Sequence, residues 1–344
     1  MRPAFRPRLV NNPFCDPTLF IPFAFQKRAL LFDLGDLHEL SAKDILKVTH
    51  AFVSHTHMDH FIGFDTVLRL FLGRNKTIHL FGPPGFLKQL EGRLSGYTWN
   101  LVDRYEHRFS ITATEVHEKE IRTRTYHCRK AFKGEAVHER PFSGTLLHEP
   151  AFRVDTVRLD HKIPCLGFKL KERFHVNIIK ERLTDLHLPV GPWLREFKTA
   201  LYQSKDPTQS FQVEWQGPQG IERRVFRLGD LSSRITHLSK GQKICYVVDA
   251  AYTESNKKKI IEFAKDADVL YVEAAFSEAE ASIAKEKFHL TATQAGRLAR
   301  EAGVKRFVPF HFSPRYAETP HRLQMEAEQA FTGSSETEPW HHHN

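Results

Sequence analysis

The sequence predicts a mixed α/β fold, and three observations lead to that prediction. After residue 240 the chain alternates between apolar strand-like runs and helical runs, at 244–249, 256–265, 269–274, 293–302 and 306–310. Near the N-terminus, two apolar strands at 29–35 and 46–53 are followed by a helix at 66–72. A hydrophobic content of 41% supports a sizeable core. The length of 344 residues fits one large domain with insertions or two smaller domains.

Turn and cap residues bound several of these elements. Gly82-Pro83-Pro84-Gly85 closes a short strand at 78–81 and leads into another helix. The helix at 293–302 is predicted to be capped by Thr291 or Thr293 and to end at Gly303.

The middle of the chain, from about 100 to 172, is predicted to be rich in strands. Residues 174–192 interrupt that pattern with a short helical stretch that ends in a Gly-Pro pair. We therefore expect one hydrolase domain over 1–330 with a short arm-like insertion at about 174–192. The polar residues 331–344 are expected to form a flexible tail.

Composition narrows the functional classes. The longest apolar runs are too short for a membrane span, and the N-terminus lacks the apolar stretch of a signal peptide. The four cysteines are scattered without a Cys-x-x-Cys pair, which argues against a disulfide framework or a thiolate metal site and favours a cytoplasmic location. The net charge of +9 favours a polyanionic partner.

The most informative segment is Ser54-His55-Thr56-His57-Met58-Asp59-His60, which directly follows an apolar strand. Imidazole nitrogens and carboxylate oxygens are ligands that zinc and similar divalent metals prefer. His55 and His57 are two residues apart, so in an extended segment they project to the same side. Asp59 and His60 lie beyond the bend, where they can turn toward a second ion.

Three more apolar strands end in residues of the same type: His161, Asp249 and His311. Taken alone, His161 reads as an ordinary histidine, and Asp249 reads equally well as the cap of the following helix. Together with the histidine cluster they predict a site for two ions about 3.5–4 Å apart that clamp the oxygens of a phosphoryl displacement.

These motifs resemble the metallo-β-lactamase superfamily and, within it, the ribonuclease Z family of tRNA 3′-processing endonucleases. The resemblance rests on Ala29–Gly35, Ser54–Gly63, Gly82–Gly85, Leu159–Phe168, His289–Ala292 and His311–Tyr316. It implies a four-layer αβ/βα sandwich with the site at one edge between two sheets. It also implies a dimer, which is common in the family, and RNA, in the form of precursor tRNA, as the partner.

The resemblance also implies residue roles. His55, His57 and His161 would hold one divalent ion, Asp59, His60 and His311 the other, and Asp249 would bridge them. The ions are expected to be Zn²⁺, with Mn²⁺ or Fe as alternatives. Asp59 would orient or deprotonate the attacking water. His289, steadied by Glu273, would donate the proton to the leaving oxygen; without the resemblance, His289 reads as a surface residue.

The sequence departs from the family's motifs at Val248, Ala250 and Val272, which spare every predicted ligand but change the residues around them. Substrate contacts are expected from Ser313 and Arg315, and from Lys180 and Arg182 in the arm. Arg315 would neutralise a phosphate or pair with a nearby carboxylate.

The basic segment 119–140 is another candidate for phosphate contacts, with Tyr126 and Phe132 available for stacking on bases. A solvated charged loop is the alternative interpretation of this segment.

Three functions follow from these observations. The first is a metal-dependent endonuclease that removes the 3′ trailer of precursor tRNA. The second keeps the chemistry but acts on small or cyclic phosphodiesters, and it is motivated by the short arm and the altered residues near the ligands. The third is a non-catalytic RNA-binding metalloprotein.

Overall fold

The structure is a computed structural model that describes residues 4–203, 206–218 and 220–333. It divides into two compact units. The larger unit comprises Phe5–Leu146, Asp155–Lys169 and the chain from Ile244 onward, and the smaller one is built mainly from Leu147–Val154 and Leu170–Lys243. No helix among the described residues is both long and apolar enough to cross a membrane.

The first sheet has eight strands that are neighbours in chain order. They are β1 (Arg8–Leu9), β2 (Leu19–Pro22), β3 (Ala29–Phe32), β4 (Val48–Phe52), β5 (Lys76–Gly82), β6 (Phe109–Val116), β7 (Glu120–His127) and β8 (His138–Pro141). Strands β3 to β6 run parallel, so their C-terminal ends share one edge. Helices α1 (Ala42–Ile45), α2 (Met58–Phe61), α3 (Phe64–Phe71) and α4 (Phe86–Ser95) occur between these strands.

The second sheet begins with β9 (Thr145–His148), β10 (Phe152–His161) and β11 (Ile163–Glu172). The chain then forms β12 (Phe174–Ile178), α5 (Lys180–Asp185), α6 (Trp193–Tyr202), β13 (Ser210–Gly217), β14 (Gly220–Arg227), α7 (Leu228–Ile235) and β15 (Thr236–Lys240). It returns to the second sheet with β16 (Lys243–Val247), α8 (Glu254–Ala264), β17 (Val269–Glu273), α9 (Ala281–Glu286), α10 (Ala292–Glu301), β18 (Phe307–Phe310) and α11 (Pro320–Thr332). The order of this sheet is β18-β17-β16-β11-β10-β9.

The two sheets of the larger unit face each other through aromatic side chains. Phe32 and Phe52 of the first sheet lie with ring centroids 5.3 and 5.7 Å from that of Phe168 in the second. The opposite face of the first sheet packs its buried residues with α3 and α4, and the second sheet does the same with α8, α10 and α11. The layers are therefore helix, sheet, sheet, helix, and the predicted αβ/βα sandwich is confirmed.

The insertion is longer than the expected segment 174–192. Within Leu170–Lys243, β12 pairs with β15 and β13 pairs with β14. Apolar residues from α5, α6 and α7, including Leu183, Trp193 and Leu231, form a separate core. Residues 174–192 alone carry too few apolar side chains to build such a core, so the unit needs the helices and hairpin beyond Pro192.

Two sequence expectations near the C-terminus have different outcomes. The helix predicted at 293–302 is α10, and its cap is Thr291, whose side chain accepts a hydrogen bond from the Gln294 N–H in a capping box. The expected tail at 331–344 falls largely on residues outside the described ranges, and α11 continues to Thr332.

A close backbone contact fixes the segment that follows β4 against the end of β3. The Gly63 N–H donates to the Leu34 carbonyl at 2.8 Å. A Cβ atom at residue 63 would lie 2.1 Å from the Gly35 carbonyl oxygen, so only glycine fits. This contact sets the position of α2, on which Asp59 and His60 lie.

Candidate metal centre

The histidine cluster occupies the turn between β4 and α2. His55 and His60 are fully buried, and His57 is exposed. The Asp33 carboxylate holds this turn in place, because it accepts hydrogen bonds from the Ser54 N–H at 2.6 Å and the Ser54 hydroxyl at 2.9 Å. These two hydrogen bonds therefore fix the position of Ser54, the residue at which the cluster begins.

The structure brings the seven predicted ligands together as two groups. The first contains His55, His57, His161 and Asp249, and the second contains Asp59, His60 and His311; in each group the ligand atoms lie within 4.8 Å of one another. All seven belong to the larger unit.

Asp249 lies within reach of both groups. Its Oδ2 atom is 3.3 Å from Nε2 of His55 and 3.3 Å from Nε2 of His161. The same oxygen is 3.5 Å from Nε2 of His60, and Oδ1 is 3.0 Å from Nδ1 of His311. The Asp249 carboxylate therefore lies within 3.5 Å of histidine nitrogens from both groups.

The donor atoms fit a pair of divalent cations. Among the described residues, His55 Nε2, His60 Nε2, Asp249 Oδ1 and His311 Nδ1 are buried without a hydrogen-bond partner of acceptable geometry. Buried polar atoms of this kind cost free energy unless they are paired. All four atoms belong to residues of the two groups. Bound divalent cations would pair with these atoms and offset the cost of burying them.

The pKa shifts divide the histidines in the same way. Burial lowers the pKa of His55, His57 and His161, which leaves neutral imidazoles, as metal ligation requires. Burial also opposes a charge on His60 and His311, but the Asp249 carboxylate raises the pKa of both well above the usual value. The second group therefore favours a positive charge, which a metal ion would provide.

His289 and Glu273 form a pair beside the ligand groups. Nδ1 of His289 is 2.7 Å from Oε2 of Glu273, and Oε1 of Glu273 accepts a hydrogen bond from the Ala250 N–H at 2.7 Å. Glu273 is fully buried, and the His289 side chain is 18% exposed. Nδ1 faces the carboxylate, so Nε2 is the nitrogen that remains for a substrate.

Comparisons with known proteins agree with this geometry. Residues 190–312 match the model of the β-lactamase superfamily domain. Ribonuclease Z of Deinococcus radiodurans is 33% identical over 323 residues, which cover 90% of this chain and 90% of that protein. The chain belongs to the ribonuclease Z family.

A second relative agrees with that assignment, and a solved structure has a similar fold. Ribonuclease Z of Lactobacillus helveticus is 28% identical over 309 residues, covering 88% of this chain and 82% of that protein. The crystal structure of YhfI from Bacillus subtilis, a metallo-β-lactamase fold protein, aligns with a TM-score of 0.53 and 15% identity over 95% of this chain and 94% of that one. This last likeness concerns the fold alone.

The departures from the ribonuclease Z motifs leave the backbone contacts of the site in place. The Val248 carbonyl accepts a hydrogen bond from the Cys165 thiol at 3.2 Å. Ala250 keeps its N–H contact to Glu273, and Val272 is buried in the core that surrounds α8 and α10. All three altered side chains are apolar and fully buried.

The four residues that the sequence predicts to contact the substrate differ in their interactions and exposure. Arg315 pairs with Glu280 at 2.9 Å, which is the carboxylate alternative raised by the sequence. Ser313 precedes the turn that carries Arg315, and its N–H donates to the Ala275 carbonyl. Lys180 and Arg182 lie exposed on α5 of the smaller unit. Their roles in substrate binding stay predictions.

The stacking role expected for Tyr126 and Phe132 is wrong. Both side chains are buried in the core of the first sheet, and the Tyr126 hydroxyl donates to Glu91. Arg122 and Arg124 of the basic segment pair with carboxylates, at 2.6 Å for Arg124 with Glu91.

Sequence reasoning missed two residues that hold the ligands. Asp33 is fully buried, and its Oδ2 lies 2.9 Å from Nδ1 of His60 and accepts a hydrogen bond from the Tyr246 hydroxyl at 2.8 Å. The sequence signal that could have found it is the buried strand at 29–35, which ends in an Asp-x-Gly turn. Its contact with His60 fixes the orientation of that imidazole.

Asn256 is the second such residue, and it joins the turns that carry His161 and Asp249. Its Oδ1 accepts from the Asp160 N–H at 3.0 Å, and its Nδ2 donates to the carbonyls of Asp160 and Ala251, both at 2.8 Å. The side chain is 1% exposed. These three bonds hold the residue before His161 against the turn that follows Asp249.

We predict that Asn256→Ala weakens metal binding about 10–100-fold, because losing its hydrogen bonds to the turns at Asp160 and Ala251 would misplace His161 and Asp249. Competition with a chromophoric chelator measures the affinity. The matched control is Lys258→Ala on the exposed side of the same helix, which should bind metal as the unaltered protein does. Unchanged affinity in Asn256→Ala would contradict the positioning role.

Proposed function

We propose that this chain is a metal-dependent endoribonuclease that removes the 3′ trailer of precursor tRNA and leaves a 3′-hydroxyl on the tRNA. One observation carries the proposal: the His289–Glu273 pair lies directly beside the two ligand groups, with Nδ1 of His289 3.8 Å from Oδ1 of Asp249. A proton donor next to a two-ion site is the arrangement that cleavage of a phosphodiester with a poor leaving group needs.

Two divalent ions, for which we propose Zn²⁺, would act as Lewis acids on the phosphoryl oxygens and lower the pKa of water when bound. His55, His57 and His161 would hold one, Asp59, His60 and His311 the other, and Asp249 both. The Asp59 side chain is 41% exposed, whereas that of Asp249 is 3% exposed. Asp59 is therefore the carboxylate that can orient the attacking water.

His289 would donate its proton from Nε2 to the departing oxygen of the tRNA. Glu273 holds the ring through Nδ1 and stabilises the protonated imidazole. Since Glu273 is itself fixed by the Ala250 N–H, the proton donor keeps a constant position relative to Asp249.

Charge supports an RNA substrate. Residues 170–243 contain 13 Lys and Arg against 8 Asp and Glu, so this segment contributes five of the nine net positive charges of the chain. Such an excess favours binding to phosphate backbones. We propose that Lys180 and Arg182 contribute to it.

The small-phosphodiester alternative loses part of its motivation, because the insertion is a folded unit rather than a short arm. The non-catalytic alternative does not account for the intact His289–Glu273 pair. We further propose a cytoplasmic location, in keeping with four free cysteines, and a homodimer as the assembled form.

Asp249→Asn tests the shared ligand. Asparagine tolerates the left-handed backbone of residue 249, where φ is 49°, so the fold should persist. We expect the variant to bind less metal and to lose both trailer removal from a precursor tRNA transcript and hydrolysis of a chromogenic phosphodiester. If metal-loaded unaltered protein removes no trailer with zinc or manganese, the tRNA proposal fails; if it turns over small diesters without binding tRNA, the alternative is correct.

His289→Gln tests the proton donor. We expect kcat for precursor tRNA to fall about 10²–10⁴-fold while metal content stays unchanged, because His289 is in neither ligand group of the proposal. Adding Glu273→Gln should lower kcat little further, since the two residues act as a unit. The control is His38→Asn at an exposed histidine. Additive losses in the double variant would argue against a coupled pair.

A further inference from the structure

A cavity of about 660 Å³ lies on the larger unit, next to the turn that carries His161. Asp160 and Lys162, the neighbours of His161 in the chain, line it, but none of the seven ligands does. The remaining walls come from β10, β11, the turn between β6 and β7, and the start of α8. The volume is within the range of about 300–1,000 Å³ that is typical of small-molecule sites.

The topology sets this cavity along the same edge as the metal centre. Strands β4, β5 and β6 are parallel neighbours, so His117, which follows β6, lies at the edge where His55 follows β4. His117 lines the cavity. The cavity therefore lies on the same side of the sheet edge as the turn that carries His161.

The lining combines cations with an apolar wall. Arg158, Lys162 and Lys259 are exposed at the cavity, and Lys259 is held at its rim because its ammonium group donates to the Arg158 carbonyl at 3.0 Å. Two carboxylates oppose them. They are Glu118 and Asp160. The Asp160 carboxylate already accepts a hydrogen bond from the Lys162 N–H.

The apolar wall comes from Phe142, Val157, Ile163 and Leu166. Ile163 is 38% exposed and therefore adds accessible apolar surface to this wall. Cations for phosphates next to an apolar surface for bases are the features by which proteins bind single-stranded RNA.

We infer that this cavity binds a single-stranded RNA segment next to the phosphodiester that is cut. The inference rests on the proposed function and extends it, because it names a second contact surface of the same substrate. The segment comes either from the trailer or from the 3′ end of the tRNA, and the experiment distinguishes these sources.

The direct test is binding of a fluorescent single-stranded oligoribonucleotide, measured by anisotropy. Arg158→Gln with Lys259→Gln should raise Kd about tenfold and reduce the slope of log K against log salt by about 1.4, since each lost phosphate contact of a single strand contributes about 0.7. The matched control removes two exposed cations that do not line the cavity, Lys258 and Arg297, also as glutamines. An equal loss of binding in the control, or no loss in the test variant, would overturn the inference.

A second variant excludes misfolding as the cause. Ser255 lines the cavity in the first turn of α8, where an added carboxylate is favourable for the helix. Ser255→Asp should therefore keep the unfolding midpoint and the metal content, yet weaken binding of the oligoribonucleotide. Unchanged binding would count against the cavity.

Precursor tRNAs with trailers of increasing length identify the source of the RNA segment. A rise in KM for Arg158→Gln with Lys259→Gln that grows with trailer length assigns the cavity to the trailer. A rise that is the same for every length assigns it to the 3′ end of the tRNA. If the unaltered protein binds the oligoribonucleotide through these residues but cleaves no precursor, the proposed function fails while the binding site stands.

Discussion

The buried carboxylate of Asp249 is the interaction on which the rest of the site depends. It is 3% exposed, and its backbone has a left-handed φ of 49° at the end of β16. Burying a carboxylate costs free energy unless opposite charges or hydrogen bonds compensate it. Here four imidazoles lie within 3.5 Å of its two oxygens, and they come from both sheets of the sandwich. The position of this one side chain therefore links the two halves of the larger unit.

The backbone of two turns next to Asp249 is constrained as well. His311 and Phe288 also have left-handed backbones, with φ values of 57° and 61°, so the turns that end in His311 and precede His289 are strained. The strain is held by specific contacts, among them the one that joins His161 Nδ1 to the Phe288 carbonyl at 2.8 Å. His161 is thereby tied to the backbone of the turn that precedes His289. The positions of the proposed ligand His161 and of the proposed proton donor His289 are consequently coupled through this contact.

Much of the metal centre could be predicted from the sequence, because its residues are adjacent in the chain or directly follow predicted strands. The run from His55 to His60 lies within six residues, and His161, Asp249 and His311 each end an apolar strand. Because parallel strands deliver their C-terminal ends to a common edge, such residues are expected to meet. The alternation of strands and helices predicts a mixed α/β fold, and the resemblance to the family motifs implies the αβ/βα sandwich.

The contacts that escaped sequence reasoning are those between distant segments. Asn256 binds the backbone of Asp160, 96 residues away, and Tyr246 reaches Asp33 across 213 residues. Such pairs leave no periodic pattern. The burial of Tyr126 was also missed, since β7 carries Arg122 and Arg124, whereas the Tyr126 ring packs in the core of the first sheet and its hydroxyl donates to Glu91 of α4. The length of the insertion was underestimated because its core is assembled from short elements spread over Leu170–Lys243.

Anomalous scattering from crystals of the zinc-loaded protein tests the central claim most directly. The account predicts two peaks about 3.5–4 Å apart, one next to His55, His57 and His161 and the other next to Asp59, His60 and His311, with the Asp249 carboxylate in contact with both. A single peak, or two peaks of which only one contacts Asp249, would contradict it.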